Sequence, residues 1–413
     1  MRSYKKIHLI LLVLLVGSIS LLSVTLKTNV GLNFFPANIL GITITTEDLL
    51  VRYNSPSEKL KILLVPGHDN KYNGAVYRGL KESDINIDLS KHLFYYLSKD
   101  QNIDVQTVRN FNDGNYTDEM NSFFKNKRDE IINFQKERRH VTQTLLRVNE
   151  LKHNVTIEHQ TALPEIALRL YGINLWANQN QIDLSLHIHF NDNAGRRWSQ
   201  PGKYSGFSIY VPEKQFPNAK ASTEIAEHIF NDIKKINPRS NFPLEKDGVI
   251  EAQELIALGS NASQKGGSVL IEYGYIYEYR FQDPEIRELL VHELAFQTYR
   301  SIKKYFSNSD ELPRTTFLPF LFSETLRSGD KGHAVLSLQT ALLMEGLYPP
   351  QNKNLNDCPI TGYFGSCTEV AVDQFQEKYR LDILEPLGLS SVTGIVGPST
   401  IDKLNMLYYY QIQ

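Results

Sequence analysis

The stretch Asp183-Leu-Ser-Leu-His187-Ile-His189-Phe-Asn191-Asp192 decides how the chain is read. From Asp183 to Phe190 polar and apolar residues alternate, which is the period of a half-buried strand. Side chains two apart on a strand share a face, so His187 and His189 point the same way. Two imidazoles on one face, followed by Asn-Asp, predict the rim of a site. His68 with Glu82 upstream and Glu272 downstream complete a set that could gather around one zinc ion.

Working outward, Lys61-Ile-Leu-Leu-Val65 reads as a short apolar strand that Pro66-Gly67 ends. His68 and Asp69 then sit at its C-terminal end, where open α/β sheets bind ligands. Ile85, Leu89, Leu93 and Leu97 repeat every four residues and predict a helix with Glu82 at or just before its first turn. Asp104 to Val108 is a second strand. From Thr117 to Leu151, Phe124, Ile131, Phe134, Val141, Leu145 and Val148 follow three-four spacing. That predicts one long helix whose apolar stripe covers the core or forms a lid over the site. A helix from Leu163 to Asn178 leads into the central strand. Ser205 to Val211 is a strand, Ala221 to Ile236 a helix, and Ser268 to Glu272 an apolar strand ending in a carboxylate. Pro284 to Phe306 is a closing helix. The alternation predicts an α/β domain with a mixed, mostly parallel sheet flanked by helices.

A length of 413 residues allows two or three domains. Hydrophobic content of 41% and charged content of 22% are those of a globular protein. A net charge of −2, without a basic cluster, gives no electrostatic case for a nucleic-acid partner. The only cysteines are Cys358 and Cys367, with no Cys-x-x-Cys, so a Cys-rich zinc site is excluded. They form a disulfide if the chain is exported, or stand as two free thiols.

Arg2, Lys5 and Lys6 precede an uncharged apolar run from Leu9 to Leu26, near the lower limit for spanning a bilayer. The positive flank keeps residue 1 in the cytoplasm. No alanine precedes Ala37, so the small residues of a cleavage site are missing, and an uncleaved anchor is preferred to a cleaved signal. Either places the catalytic part outside the membrane, in the cell envelope. The expected layout is an anchor or signal at 1–30, a tether at 31–57, a catalytic domain at 58–307, a linker at 308–323 and a small helical domain at 324–410.

A catalytic zinc uses three protein ligands and keeps a fourth position for water. His68, Glu82 and His189 would supply two imidazoles and a carboxylate, each near the end of an element. Glu272, at a strand end beside a glycine, is the candidate to take the proton of water and pass it to a leaving nitrogen. Each piece also has a plain reading. Pro-Gly-His is a common turn, Glu82 a solvated helix-start carboxylate, and both histidines of the central strand could be core residues.

The segment from Lys61 to Phe306 resembles the zinc-dependent N-acetylmuramoyl-L-alanine amidases of the Amidase_3 class. Val65-Pro-Gly-His68 is similar to that family's first ligand turn, and Gly79-Leu-Lys-Glu82 with Asn86-Ile-Asp-Leu89 to its second. Ala177-Asn178, Asp183 and His189-Phe-Asn191 match its third, and Leu270-Ile-Glu272-Tyr-Gly274-Tyr275 its catalytic glutamate. The resemblance implies His68, Glu82 and His189 as zinc ligands and Glu272 as the catalytic residue. His187 and Asn191 stand as supports of the third ligand or as its alternatives. Val65 replaces an aspartate of the family pattern, Ile182 an alanine and His187 a serine. The segment from about Asn115 to Pro164 is longer than the family's connection and could gate the site.

Leu326-Arg-Ser-Gly329-Asp-Lys-Gly332 through Leu338-Gln339 resembles the opening of the peptidoglycan-binding domain 1 family. Gly346-Leu-Tyr348, Thr361-Gly362-Tyr-Phe364-Gly365, Phe375-Gln376 and Gly394-Ile-Val-Gly397-Pro398 continue the match. The resemblance implies a three-helix bundle. Val335, Leu338 and Leu342 form one apolar helical face, and Val370, Val372 and Phe375 contribute another. Together the two resemblances imply zinc-dependent hydrolysis of the amide between N-acetylmuramic acid and L-alanine in peptidoglycan. The alternatives are a peptidoglycan peptidase with the same metal, or an inactive wall-binding anchor.

Overall fold

The computed structural model describes residues 44–155, 157 and 162–410. In chain order these hold α1 (Thr46–Tyr53), β1 (Leu60–Pro66), β2 (Val76–Tyr77), β3 (Leu80–Lys81), α2 (Glu82–Lys99), β4 (Ile103–Thr107), α3 (Asp118–Asn126), α4 (Arg128–Arg147) and α5 (Pro164–Gln179). β5 (Leu184–Asn191), β6 (Ser208–Pro212), α6 (Ala219–Ile233), β7 (Val249–Ala252), β8 (Gly267–Tyr275) and α7 (Pro284–Ser307) follow. The C-terminal region has α8 (His333–Met344), α9 (Ser366–Lys378), the short α10 (Arg380–Ile383) and α11 (Pro398–Tyr408).

Six strands form one sheet in the order β4-β1-β5-β8-β6-β7. All neighbours are parallel except β6 against β8, so the sheet is mixed and mostly parallel. β5 lies at its centre, with Val65 opposite His187 on one side and Glu272 opposite His189 on the other. One sheet face is apolar: Ile62, Leu64, Leu184, Leu186, Ile188, Val269 and Ile271 pack with residues of α2, α6 and α7. Leu63 and Val65 on the other face meet Ile173 and Trp176 of α5.

β5 therefore departs from a half-buried strand. Leu184 to Ile188 are all buried, and only His189 and Asn191 are partly open. The polar face of the alternation looks into an enclosed space rather than into solvent, because α5 and the segment before it cover that side. β7 and the β2–β3 hairpin carry too few residues to show a period.

The described structure differs from expectation at two places, and the expected linker is packed. Within the stretch expected as a tether at 31–57, Thr46–Tyr53 form α1. Thr45 and Asp48 cap it reciprocally, Leu49 and Tyr53 are buried, and the Tyr53 hydroxyl donates to Asp100 at 3.0 Å. The long helix expected from Thr117 to Leu151 is two helices, broken at Lys127. The linker at 308–323 is irregular but packed. Phe317, Leu318 and Phe322 are buried, the Thr316 amide donates to Glu293 at 2.6 Å, and Phe322 exchanges two hydrogen bonds with Asn405.

In the C-terminal region Val335, Leu338, Leu342, Val372 and Phe375 are buried as expected. Val370 is exposed, since it lies two residues from Val372 and so on the opposite side of α9. Cys358 and Cys367 are disulfide-bonded. Among the described residues no helix is long and apolar enough to cross a membrane, and the run from Leu9 to Leu26 lies outside them.

Leu49→Ala tests whether α1 belongs to the folded body. Truncating this fully buried side chain is expected to lower unfolding stability by ~2–5 kcal/mol. A tether residue would change it by about 0.5 kcal/mol or less, as urea titration would show.

Candidate functional site

The site starts from the turn after β1. Gly67 donates its amide to the Ile188 carbonyl at 2.9 Å, which ties the turn to β5. The Gly67 carbonyl accepts from the Asn86 side chain at 3.0 Å and from Arg109 at 3.1 Å. His68 follows with φ 64°, a left-handed conformation that non-glycine residues adopt only where their surroundings hold them. That backbone turns its ring toward Glu82. Asp69 fixes the next turn, accepting from the amides of Lys71 and Tyr72 and pairing with Arg169.

Glu82 is the first residue of α2 and is buried. One carboxylate oxygen lies 3.0 Å from His68 Nε2 and the other 3.0 Å from His189 Nδ1. The Ala75 and Phe190 amides donate to the same oxygens, at 2.9 and 3.3 Å. Donor atoms of His68, Glu82 and His189 all lie within 4.8 Å of one another. Two backbone positions make room for them. A Cβ on Gly67 would fall 2.2 Å from the His189 ring, and one on Gly74 would fall 2.3 Å from a Glu82 oxygen. Two imidazoles and a carboxylate, converging where glycines leave space, fit a zinc ion with an open position.

The electrostatics of the three donors differ. Burial pushes the Glu82 carboxyl up, but His68 and His189 outweigh it and hold it well below the carboxylate range. Burial lowers the pKa of His189 more than Glu82 raises it, which favours the neutral ring. For His68 burial also lowers the pKa, yet the Glu82 charge and hydrogen bond leave it raised.

Glu272 lies opposite His189 in register, with one carboxylate oxygen buried and without a hydrogen-bond partner. Burial, then the charges of Glu82 and Glu245, raise its pKa well above the usual range. His187 is 1% exposed, and neither ring nitrogen has a hydrogen-bond partner. Burial, then His189, lowers it to about 3. It lines a cavity of about 490 Å³ together with His68 and His189. Arg139, Thr142 and Leu146 of α4 form another wall, so the long segment before α5 does border the site. Ile131 and Leu145 of the same helix are buried, so it also covers core.

Asn191 does not join the donor cluster. Its amide donates to Glu245 at 3.1 Å, and Tyr210 donates to the same oxygen at 2.6 Å. Asp183 is also structural, accepting from the Lys61 amide at 2.9 Å and pairing with Arg52. Sequence reasoning missed Arg109 and Glu245. Arg109 carries a usable signal, because it follows β4 at the same sheet end as His68. Glu245 carries none beyond a Pro-Leu-Glu turn.

The family model described as N-acetylmuramoyl-L-alanine amidase, Amidase_3, matches residues 62–282. The chain belongs to that family. This amidase is an enzyme that acts on cell-wall peptidoglycan. His68, Glu82, His189 and Glu272 all fall inside the matched segment, whereas α1, α7 and the C-terminal region fall outside it. No curated protein matches the amidase. Among solved structures it is similar to the N-acetylmuramoyl-L-alanine amidase from Clostridium difficile 630, at 17% identity over 61% of this chain and 100% of that one, with a TM-score of 0.38. The CwlD amidase from Clostridioides difficile, solved with the GerS lipoprotein, is 19% identical over 61% and 100%, with a TM-score of 0.40. Ami1 from Mycobacterium smegmatis is 14% identical over 60% and 98%, with a TM-score of 0.40.

Gly67→Ala is expected to displace the His189 ring and to lower any metal the three donors retain by ~10-fold or more, with the fold retained. Gly397→Ala, where a Cβ meets nothing within 4 Å, is the control and should leave metal content unchanged. Elemental analysis of the dialysed proteins reads both.

Proposed function

We propose that the chain hydrolyses the amide between the lactyl group of N-acetylmuramic acid and L-alanine, with zinc held by His68, Glu82 and His189. The observation that carries this reading is the convergence of those three donors beside the buried, unpartnered oxygen of Glu272. Bound there, zinc would polarise the scissile carbonyl and lower the pKa of water to about 7. The protein supplies the rest. Glu272 takes a proton from the attacking water as oxygen adds to the carbonyl carbon. It then delivers that proton to the nitrogen as the C–N bond breaks. Asn86 and Arg109 hold the Gly67 carbonyl and so fix His68, while Phe190 and Ala75 orient Glu82. His187 faces the same cavity and supports the site from β5.

In this reading residues 46–307 form the catalytic domain and 324–410 a wall-binding domain that keeps the enzyme on its polymer. The work is extracytoplasmic, and residues 9–26 serve as anchor or signal. The resemblance of 326–404 to peptidoglycan-binding domains and the packed helices α8, α9 and α11 support the targeting half.

Digestion of purified peptidoglycan by the full chain, with and without chelator, tests the proposal. Stem peptides carrying a free L-alanine amine, absent when chelator is added, are the expected products. Fragments cut within the peptide would make the enzyme a peptidase. Pull-down with the wall but no release would leave an anchor. Glu272→Gln is expected to keep zinc and lose at least ~100-fold in rate. His68→Ala is expected to lose the metal and the activity together, seen by elemental analysis alongside the same assay.

A further inference from the structure

A second hollow lies next to the donor cluster, where the catalytic region meets the C-terminal one. This groove of about 430 Å³ is lined by Tyr77, Tyr204, Tyr277 and Tyr279 on one side and by Pro359 and Thr361 on the other. Its size and its place between two regions are those of a small-ligand site. The elements that carry the donors continue into it. The hairpin holding Tyr77 runs directly into Glu82, and β8 carries Glu272 and ends at Tyr275, two residues before Tyr277. From the end of β5, Asp192 pairs with Arg196, which lies over the rings of both Tyr77 and Tyr277, at 5.2 and 5.6 Å.

The groove has aromatic faces and a polar rim. Tyr279 is 64% exposed and rests on Tyr363 of the C-terminal region, with ring centroids 4.3 Å apart. Lys203 lies 4.8 Å from the centre of the Tyr204 ring. Two arginines behind these faces are already paired. Arg196 is paired with Asp192, and Arg280 with Glu278, whose other oxygen accepts from the Gly206 and Tyr275 amides. Arg78 and Lys203 lie over the Tyr77 and Tyr204 rings, so the groove is an amphipathic, tyrosine-lined surface with a basic rim.

We propose that this groove is the subsite for the glycan strand, holding N-acetylated amino-sugar rings on the tyrosine faces. The inference rests on the amidase reading. The scissile amide joins a sugar to a peptide, so the substrate has two arms; the donors line one hollow, and the hairpin that binds Glu82 through Ala75 leads to the other. A pyranose ring has apolar C–H faces and hydroxyl edges, which match tyrosine faces with a polar rim. Stem peptides carry carboxylates, and beside the rings Arg196 and Arg280 are already neutralised, which leaves Arg78 and Lys203 at the rim to meet an acidic arm. The glycan is also the arm that must run on toward the C-terminal region.

The test uses the full chain, with N,N′,N″,N‴-tetraacetylchitotetraose as the glycan probe and a soluble muramoyl-peptide monomer as the short substrate. Tyr279→Ala and Tyr204→Ala are each expected to weaken chitotetraose binding at least ~5-fold by calorimetry and to raise KM on polymeric peptidoglycan similarly. Turnover of the monomer and zinc content should stay within about twofold, and Tyr279→Phe should keep most of the binding. Undiminished chitotetraose binding in both alanine variants would overturn the proposal. So would displacement of chitotetraose by free stem peptide, or an equal loss on monomer and polymer. Failure of the wild-type chain to cut the monomer at its lactyl amide would count against the amidase reading alone, while chitotetraose binding still reports on the groove.

Discussion

A buried carboxylate held between two imidazoles is the constraint around which this fold is arranged. Taking Glu82 out of water costs on the order of several kcal/mol unless it is compensated. His68 and His189 supply that compensation from opposite sides, and the Ala75 and Phe190 amides complete it. Each partner fixes a piece of chain. The hairpin must bring Ala75 back over the start of α2, β5 must end at the height of Phe190, and the turn after β1 must hold His68 in a left-handed conformation. Gly67 and Gly74 are required because any side chain there would occupy the space the donors share.

The sheet makes this convergence possible. β5 lies between β1 and β8, and parallel registry brings the ends of all three to one edge. Period-2 alternation then separates two tasks along a single strand. Leu184, Leu186 and Ile188 face the core against α2 and α6, while His187 and His189 face the cavity under α5. The same alternation on β8 puts Ile271 in the core and Glu272 beside His189. A slip of one residue in either strand would exchange these faces, so core packing enforces the geometry of the site.

This coupling explains what could be read in advance. The grouping of His68, Glu82 and His189, with Glu272 opposite His189, was legible because each lies in a strongly patterned element whose period fixes its face, although β8 runs to Tyr275 rather than ending at Glu272. Arg109 and Glu245 were not, because their roles depend on chain far away: Arg109 on Gly67, Glu245 on Asn191 and Tyr210. The break at Lys127 was hidden because Phe124 and Ile131 keep helical spacing across it, so the apolar stripe continues through the kink. α1 did carry a signal, the Thr45–Asp48 capping pair before Leu49 and Tyr53, but its short length made it resemble a tether. In the linker, prolines and hydroxyl residues correctly marked irregular backbone. Burial of Phe317 and Phe322 depends instead on α7 and α11, which local composition does not report.

The packed linker changes how the two halves work together. Residues of α7 and α8 share one apolar core, Lys331 pairs with Asp283, and Tyr279 rests on Tyr363. Two modules on a flexible tether search a volume set by linker length, and the second contact is gained only as effective concentration. Here the search is removed. Under the proposed function, a strand held by the C-terminal region meets the donor cluster at one fixed distance, through the groove that both regions build. On that proposal, specificity for a wall strand would lie in the spacing between the surface that holds the polymer and the residues that cut it, a spacing set by the buried side chains of the junction.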